Sequence, residues 1–177
     1  MKSLFKSKTA ILLFAVVGLA ALGFFAVPKH PGAALVDVGE TAQDWTLNSP
    51  DGDSVVFFEA RDDAPSVLIF WATWCGYCQD LMPELAQLDA TLPPGTANFY
   101  ALNVFEDGDP VGYFADHGYE FELLLEADEI AEKYGVIATP GVIVVDADNT
   151  VVYSRWGNGP PGEIANELRD VLLGQST

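Results

Sequence analysis

The chain has two cysteines, Cys75 and Cys78, two residues apart in the stretch Phe70-Trp71-Ala72-Thr73-Trp74-Cys75-Gly76-Tyr77-Cys78. Three chemistries suit such a pair. A dithiol can exchange with a disulfide: one thiolate attacks, and a second thiol close by releases the mixed disulfide. Two thiolates can hold a soft ion such as Cu(I). The pair can also form a plain structural staple, although so small a loop removes little entropy from the unfolded chain. A structural zinc site asks for about four Cys, His or acidic ligands. Only His30 and His117 would be at hand, and no metal or other cofactor is expected.

The elements around the pair favour exchange. Val67 to Trp71 is a continuous apolar run, the mark of a strand buried on both faces, and the cysteines follow it directly. Leu81, Leu85 and Leu88 then recur at helical spacing, with Pro83 inside the segment and Pro93-Pro94-Gly95 ending it. Cys75 therefore falls at a helix start, where free N–H groups and the positive end of the macrodipole stabilise a thiolate. Cys78 lies one turn inward. Cys75 is read as the attacking nucleophile and Cys78 as the resolving thiol.

Other segments complete an alternating pattern. Trp45–Leu47 and Val55–Phe58 read as two strands around Asp51-Gly52, and Phe99–Val104 as a second buried strand. Asp109–His117 and Glu126–Tyr134 read as helices, Val142–Val145 and Val151–Tyr153 as an antiparallel pair, and Glu163–Leu173 as an amphipathic helix. The class is α/β: a mixed central sheet flanked by helices, with a β-hairpin extension at its N-terminal side.

Strand, WCGYC, helix and a later Gly135-Val136-Ile137-Ala138-Thr139-Pro140 before a strand resemble the thioredoxin fold. With Pro83-Glu84-Leu85 on the helix, the closer resemblance is to its membrane-anchored, exported branch, the TlpA, ResA and DsbE type of thiol–disulfide oxidoreductase. The resemblance implies a redox-active Cys75–Cys78 disulfide and a cis-proline at Pro140 beside it. It also implies a substrate-binding rim of Trp74, Gly76, Tyr77, Thr139 and Pro140, with Trp74 as an apolar lip. Thr139 would offer backbone groups to an extended client segment. The implied partners are client proteins with cysteine pairs, such as apocytochrome c before haem attachment or copper-site assembly factors, and a membrane dithiol that donates electrons.

Three positions depart from the family. The buried acid six residues before the first cysteine is replaced by Ile69, the glutamate three residues after the second by Leu81, and the Thr or Glu after the proline by Gly141. The first two leave the proton acceptor for Cys78 unassigned. The PxxxTxxC pattern of peroxiredoxins is also missing, since Ala72 stands three residues before Cys75. Two rival functions stay in view: a Cu(I) metallochaperone-like protein that would recruit His117, and a binding module gated by its redox pair.

Composition sets the compartment. Lys2, Lys6 and Lys8 precede an uncharged run of eighteen residues, 10–27. As a helix it spans roughly 27 Å, enough for a retained anchor with residues 1–9 in the cytoplasm. A cleaved signal is the rival, with Gly32-Ala33-Ala34 as the small-residue site. Either way the domain, residues 37–177, is exported behind a tether at 28–36. Its surface excludes nucleic acid as a partner: all twenty-six acidic residues lie at or after Asp37, against four of the eight basic ones. Within the domain the nearest cations in sequence to the dithiol are Arg61 and Lys133, while Asp80 and Glu84 lie close. The expected poise is that of a reductant rather than a forceful oxidant.

Overall fold

The computed structural model describes residues 35–62 and 64–174. The expected anchor at 10–27 and most of the tether lie outside the described residues. Among those described, no helix is long and apolar enough to cross a membrane.

A hairpin opens the fold, with β1 (Thr46–Asn48) antiparallel to β2 (Ser54–Val56). Gly52 sits in its turn at φ +86°, the left-handed region that glycine enters without steric cost. The chain then departs from the expected strand at Val55–Phe58. After Val56 it turns into a short helix, α1 (Phe57–Ala60). The cause is packing. Phe57 is fully buried and stacks on Trp45 at 4.6 Å between ring centroids. The helical turn also lets the Arg61 guanidinium lie 5.5 Å from both the Phe57 and Phe58 rings. A strand would send those two rings to opposite sides.

The remaining elements are β3 (Ser66–Trp71), α2 (Gly76–Thr91), β4 (Asn98–Asn103), α3 (Pro110–His117), β5 (Glu122–Leu124), α4 (Asp128–Lys133), β6 (Gly141–Val145), β7 (Val151–Trp156) and α5 (Glu163–Leu172). The main sheet has the order β5-β4-β3-β6-β7. β3, β4 and β5 run parallel, β6 antiparallel to β3, and β7 antiparallel to β6. β5 is an edge strand of three residues that the sequence pattern does not announce.

β3 is buried along its whole length, and its side chains alternate between two cores. Val67, Ile69 and Trp71 join Leu81, Leu85 and Leu88 of α2, Phe114 of α3, and Ile164 and Leu168 of α5. Leu68 and Phe70 join Ile130 and Tyr134 near α4, together with Trp45, Leu47 and Phe57 of the N-terminal layer. Each such apolar side chain contributes on the order of 1.5–3 kcal/mol on burial. The central strand is thereby fixed from both sides. Met82, Phe99 and Phe121 belong to these cores as apolar filling. The parallel β3–α2–β4 crossover brings the start of α2 to the carboxyl end of β3, where open α/β sheets carry their sites.

Candidate redox site at the start of α2

Cys75 is the N-cap of α2, with extended backbone angles, and it is bonded to Cys78 across a Cα–Cα distance of 5.2 Å. The Cys75 Sγ accepts a hydrogen bond from the Cys78 amide at 3.1 Å, and the Cys75 carbonyl accepts from the Cys78 and Gln79 amides. The sulfur that would carry the negative charge is therefore already solvated by the helix end. Exposure separates the two cysteines only slightly, at 5% for Cys75 and 1% for Cys78. The capping geometry, more than access, sets Cys75 apart.

The rim is more open than the sulfurs. Trp74 and Tyr77 are exposed, as is Ile137 on the segment leading to Pro140. A side chain on Gly76 would meet nothing within 4 Å, so the surface between Trp74 and Tyr77 is bare. The Thr139–Pro140 peptide is cis and Pro140 is buried. Thr139 is half-buried, and its Oγ1 is buried with no hydrogen-bond partner. Gly157, following β7, joins this proline to the helix: its amide donates to the Pro140 carbonyl at 2.7 Å. A Cβ on Gly157 would stand 2.4 Å from Pro140 Cγ and 2.9 Å from Leu81 Cδ2. Pro140 and the second turn of α2 thus approach each other around a residue that has no room for a side chain. Trp74, Cys75, Gly76, Tyr77 and Cys78 lie at the start of α2, Thr139 and Pro140 lead into β6 beside β3, and Leu81 occupies the place of the missing family glutamate as a buried apolar residue.

Beside the dithiol runs a groove of about 380 Å³, lined by Tyr77, Asp80, Leu81, Glu84, Pro160 and Pro161 among others. Glu84 accepts from the Gly162 amide at 2.9 Å, tying α2 to the approach of α5. The cations lie elsewhere or are already paired. Arg61 donates to the Asp146 and Ala147 carbonyls at 2.7 and 2.8 Å, in the β6–β7 turn at the opposite end of β3. Arg155 is clamped by Glu163 at 2.6 Å and Glu167 at 2.5 Å. Lys133 ends α4 on the far face of the sheet, and Arg169 lies in the last turn of α5.

One cluster was invisible in the sequence. Glu106, in the loop after β4, accepts from the Thr73 amide (2.9 Å), Thr73 hydroxyl (2.6 Å), Asn103 Nδ2 (2.7 Å), Asp107 amide (3.0 Å) and Gly108 amide (2.8 Å). Partial burial pushes its carboxyl up, but the bonds from Thr73, Asn103 and Gly108 outweigh this and hold it at about 2. Its main partner is 33 residues away, so only the fold makes the contact. In sequence it looks like one more solvated acid.

Among the described residues no group of three or more His, Cys, Asp or Glu side chains converges on a common point. His117 closes α3, with Nδ1 2.8 Å from the Tyr113 carbonyl and its ring stacked on Tyr113 at 4.0 Å.

A disulfide at the start of the helix that follows the central strand, in a fold whose cis-proline leads into the neighbouring strand, defines a thioredoxin-like thiol–disulfide oxidoreductase. Comparison with known proteins places it more narrowly. The chain belongs to the AhpC/TSA family, whose model matches residues 38–154. It is 29% identical over 163 residues to the thiol-disulfide oxidoreductase ResA of Geobacillus thermodenitrificans, covering 91% of each chain. It is also 29% identical over 101 residues to a DsbE homologue of Paracoccus denitrificans, covering 55% of this chain and 53% of that one. Among solved structures, a DsbE-type thiol:disulfide interchange protein from Chlorobium tepidum superposes with a TM-score of 0.68 at 25% identity. That match covers 78% of this chain and 97% of the other.

Proposed function

We propose that this chain is an exported reductant of client-protein disulfides, tethered to a membrane by residues 10–27. The observation that carries the direction is electrostatic. The helix end is the stabilising influence on a Cys75 thiolate, while Asp80 and Glu84 line the groove beside Tyr77 and Arg155 is paired with two glutamates. A thiolate held only moderately gives a dithiol that readily gives up its electrons.

The exchange runs in two displacements. The Cys75 thiolate attacks one client sulfur, a Cys75–client bond forms, and the other client sulfur leaves as thiolate and takes a proton. The Cys78 thiol, losing its proton to solvent, then attacks Cys75 Sγ. The second client thiol is released and the Cys75–Cys78 bond closes. Two electrons have passed to the client, and a donor dithiol must return them before the next cycle. Thr139 presents backbone to the client strand, and Trp74, Gly76, Tyr77 and Pro140 form the surface it crosses. The names of the relatives, thiol-disulfide oxidoreductase and thiol:disulfide interchange protein, support cysteine-containing clients; the proposal takes apocytochrome c or copper-site assembly factors as those clients and a membrane dithiol as donor.

Insulin reduction by the purified chain, driven by dithiothreitol, tests the activity, and Cys78→Ser tests the roles. In cells this variant should accumulate clients joined to Cys75, identifiable by mass spectrometry. If trapping instead needs Cys75→Ser, the two roles are exchanged. If neither variant traps a protein and the wild type leaves insulin intact, the chain is not a reductant of proteins.

A further inference from the structure

Three features of the loop after β4 point at the same two residues, Thr73 and Trp74. The Glu106 carboxylate receives five donors, two of them from Thr73. Phe105 holds a left-handed backbone (φ +54°), a conformation unfavourable for a bulky residue, and its amide is fastened to Asp128 Oδ1 at 3.0 Å. The carbonyl so presented accepts the Trp74 indole Nε1 at 2.7 Å. Gly108 is the third: a Cβ there would stand 2.6 Å from Thr73 Oγ1 and 3.2 Å from Glu106 Oε1. From the helix side, Gln79 Nε2 donates to the Thr73 carbonyl at 2.9 Å.

This is more than a surface loop needs. Trp74 is half-exposed, so burial does not fix it, and a free indole would sample several rotamers at an entropic cost to any client it receives. Five donors on one carboxylate, a strained neighbour and a glycine cradle set the segment that leads into Cys75 instead.

We propose that Glu106 is a positioning residue for client recognition: by holding Thr73 it fixes the Trp74 lip beside Cys75 in the orientation that receives a polypeptide disulfide. The inference rests on the oxidoreductase reading of the site and adds to it a residue outside the dithiol and its rim. Glu106 touches neither the sulfurs nor the client. Its effect passes through Thr73 and Trp74, so it governs large substrates and leaves the intrinsic reactivity of the sulfurs alone. Cys75 remains free to react with a disulfide too small to meet Trp74.

The test compares full-length wild type with Glu106→Ala, Glu106→Gln and Gly108→Ala. Gly108 is not in the left-handed region, so its alanine variant perturbs contacts without straining backbone. Each is assayed on insulin and on the small disulfide dithiodipyridine. KM for insulin should rise about fivefold in Glu106→Ala and Gly108→Ala, with kcat and the dithiodipyridine rate within about twofold of wild type. Glu106→Gln, which keeps one acceptor oxygen, should fall between. Independently of activity, exchange of the Thr73 amide, read by NMR, should quicken about tenfold or more in Glu106→Ala. Variants equal to an active wild type on insulin, or equal losses on both substrates, would overturn the role. A wild type inert towards insulin but reactive with dithiodipyridine would instead overturn the oxidoreductase reading, and this role with it.

Discussion

The two ends of β3 solve opposite problems. At its amino end, Arg61 is a buried cation with no waste: two carbonyls of the β6–β7 turn accept its protons, two phenyl rings lie beside it, and its own carbonyl accepts from Asn98 Nδ2 at 2.8 Å. At its carboxyl end, the chain leaves Trp74, Tyr77 and Ile137 exposed and Thr139 Oγ1 without a partner. The needs of Arg61 are met at the first end, whereas those of Thr139 are left open at the second. Stability is concentrated where nothing reacts, and the reactive end is held by a few specific bonds, such as those of Glu106 and Gly157.

The sharpest way to break this contrast is Arg61→Ala. It would remove a buried side chain together with its bonds to the Asp146 and Ala147 carbonyls and its contacts with two rings, at a cost of about 3 kcal/mol in denaturant unfolding. Insulin reduction well below the melting temperature should stay at the wild-type rate. A loss of activity without a loss of stability would mean that the two ends are not separable.

Gly157→Ala probes the other end. The added methyl would meet Pro140 and Leu81 below 3 Å, and overpacking of this kind costs about 1–3 kcal/mol. Because the displaced groups border the dithiol, exchange should fall by about tenfold even where the protein remains folded. Activity that tracks stability alone would remove Gly157 and Pro140 from the site.

Acidification gives the smallest effect and sharpens the role of Glu106. Its folded carboxyl sits at about 2, below its ordinary value of 4.5. It therefore stabilises the fold fully above pH 4.5, and this contribution is lost as pH falls from there towards 2. Glu167 acts in the same sense: burial raises its carboxyl, but Arg155 and Tyr153 together lower it. Stability of Glu106→Gln against pH should therefore be flatter than wild type in that window. Parallel curves would show that the carboxylate is not tied as described.

Much of this was legible in the sequence because it depends on local pattern. The Val67–Trp71 run, the Leu81/Leu85/Leu88 face and Ile164/Leu168 on α5 declare buried elements by periodicity, and the WCGYC spacing sets the dithiol on a helix start. What was not legible depends on distant partners. Phe57 and Phe58 have strand propensity, and only the stack on Trp45 and the reach of Arg61 turn them into α1. β5 is three residues long and takes its identity from pairing with Tyr100–Leu102. Glu106 stands among other acids, and its meaning comes from Thr73 across the loop. Gly157 reads as a simple strand end until Pro140 is packed against it.

The account depends most on a reversible Cys75–Cys78 bond of reducing character, and a redox titration of the full-length chain addresses that directly. Equilibrated with dithiothreitol or glutathione mixtures and quenched by alkylation, the pair should titrate as one two-electron couple nearer about −270 mV than about −120 mV. A potential near −120 mV, or a bond that no reductant opens in the folded protein, would contradict it.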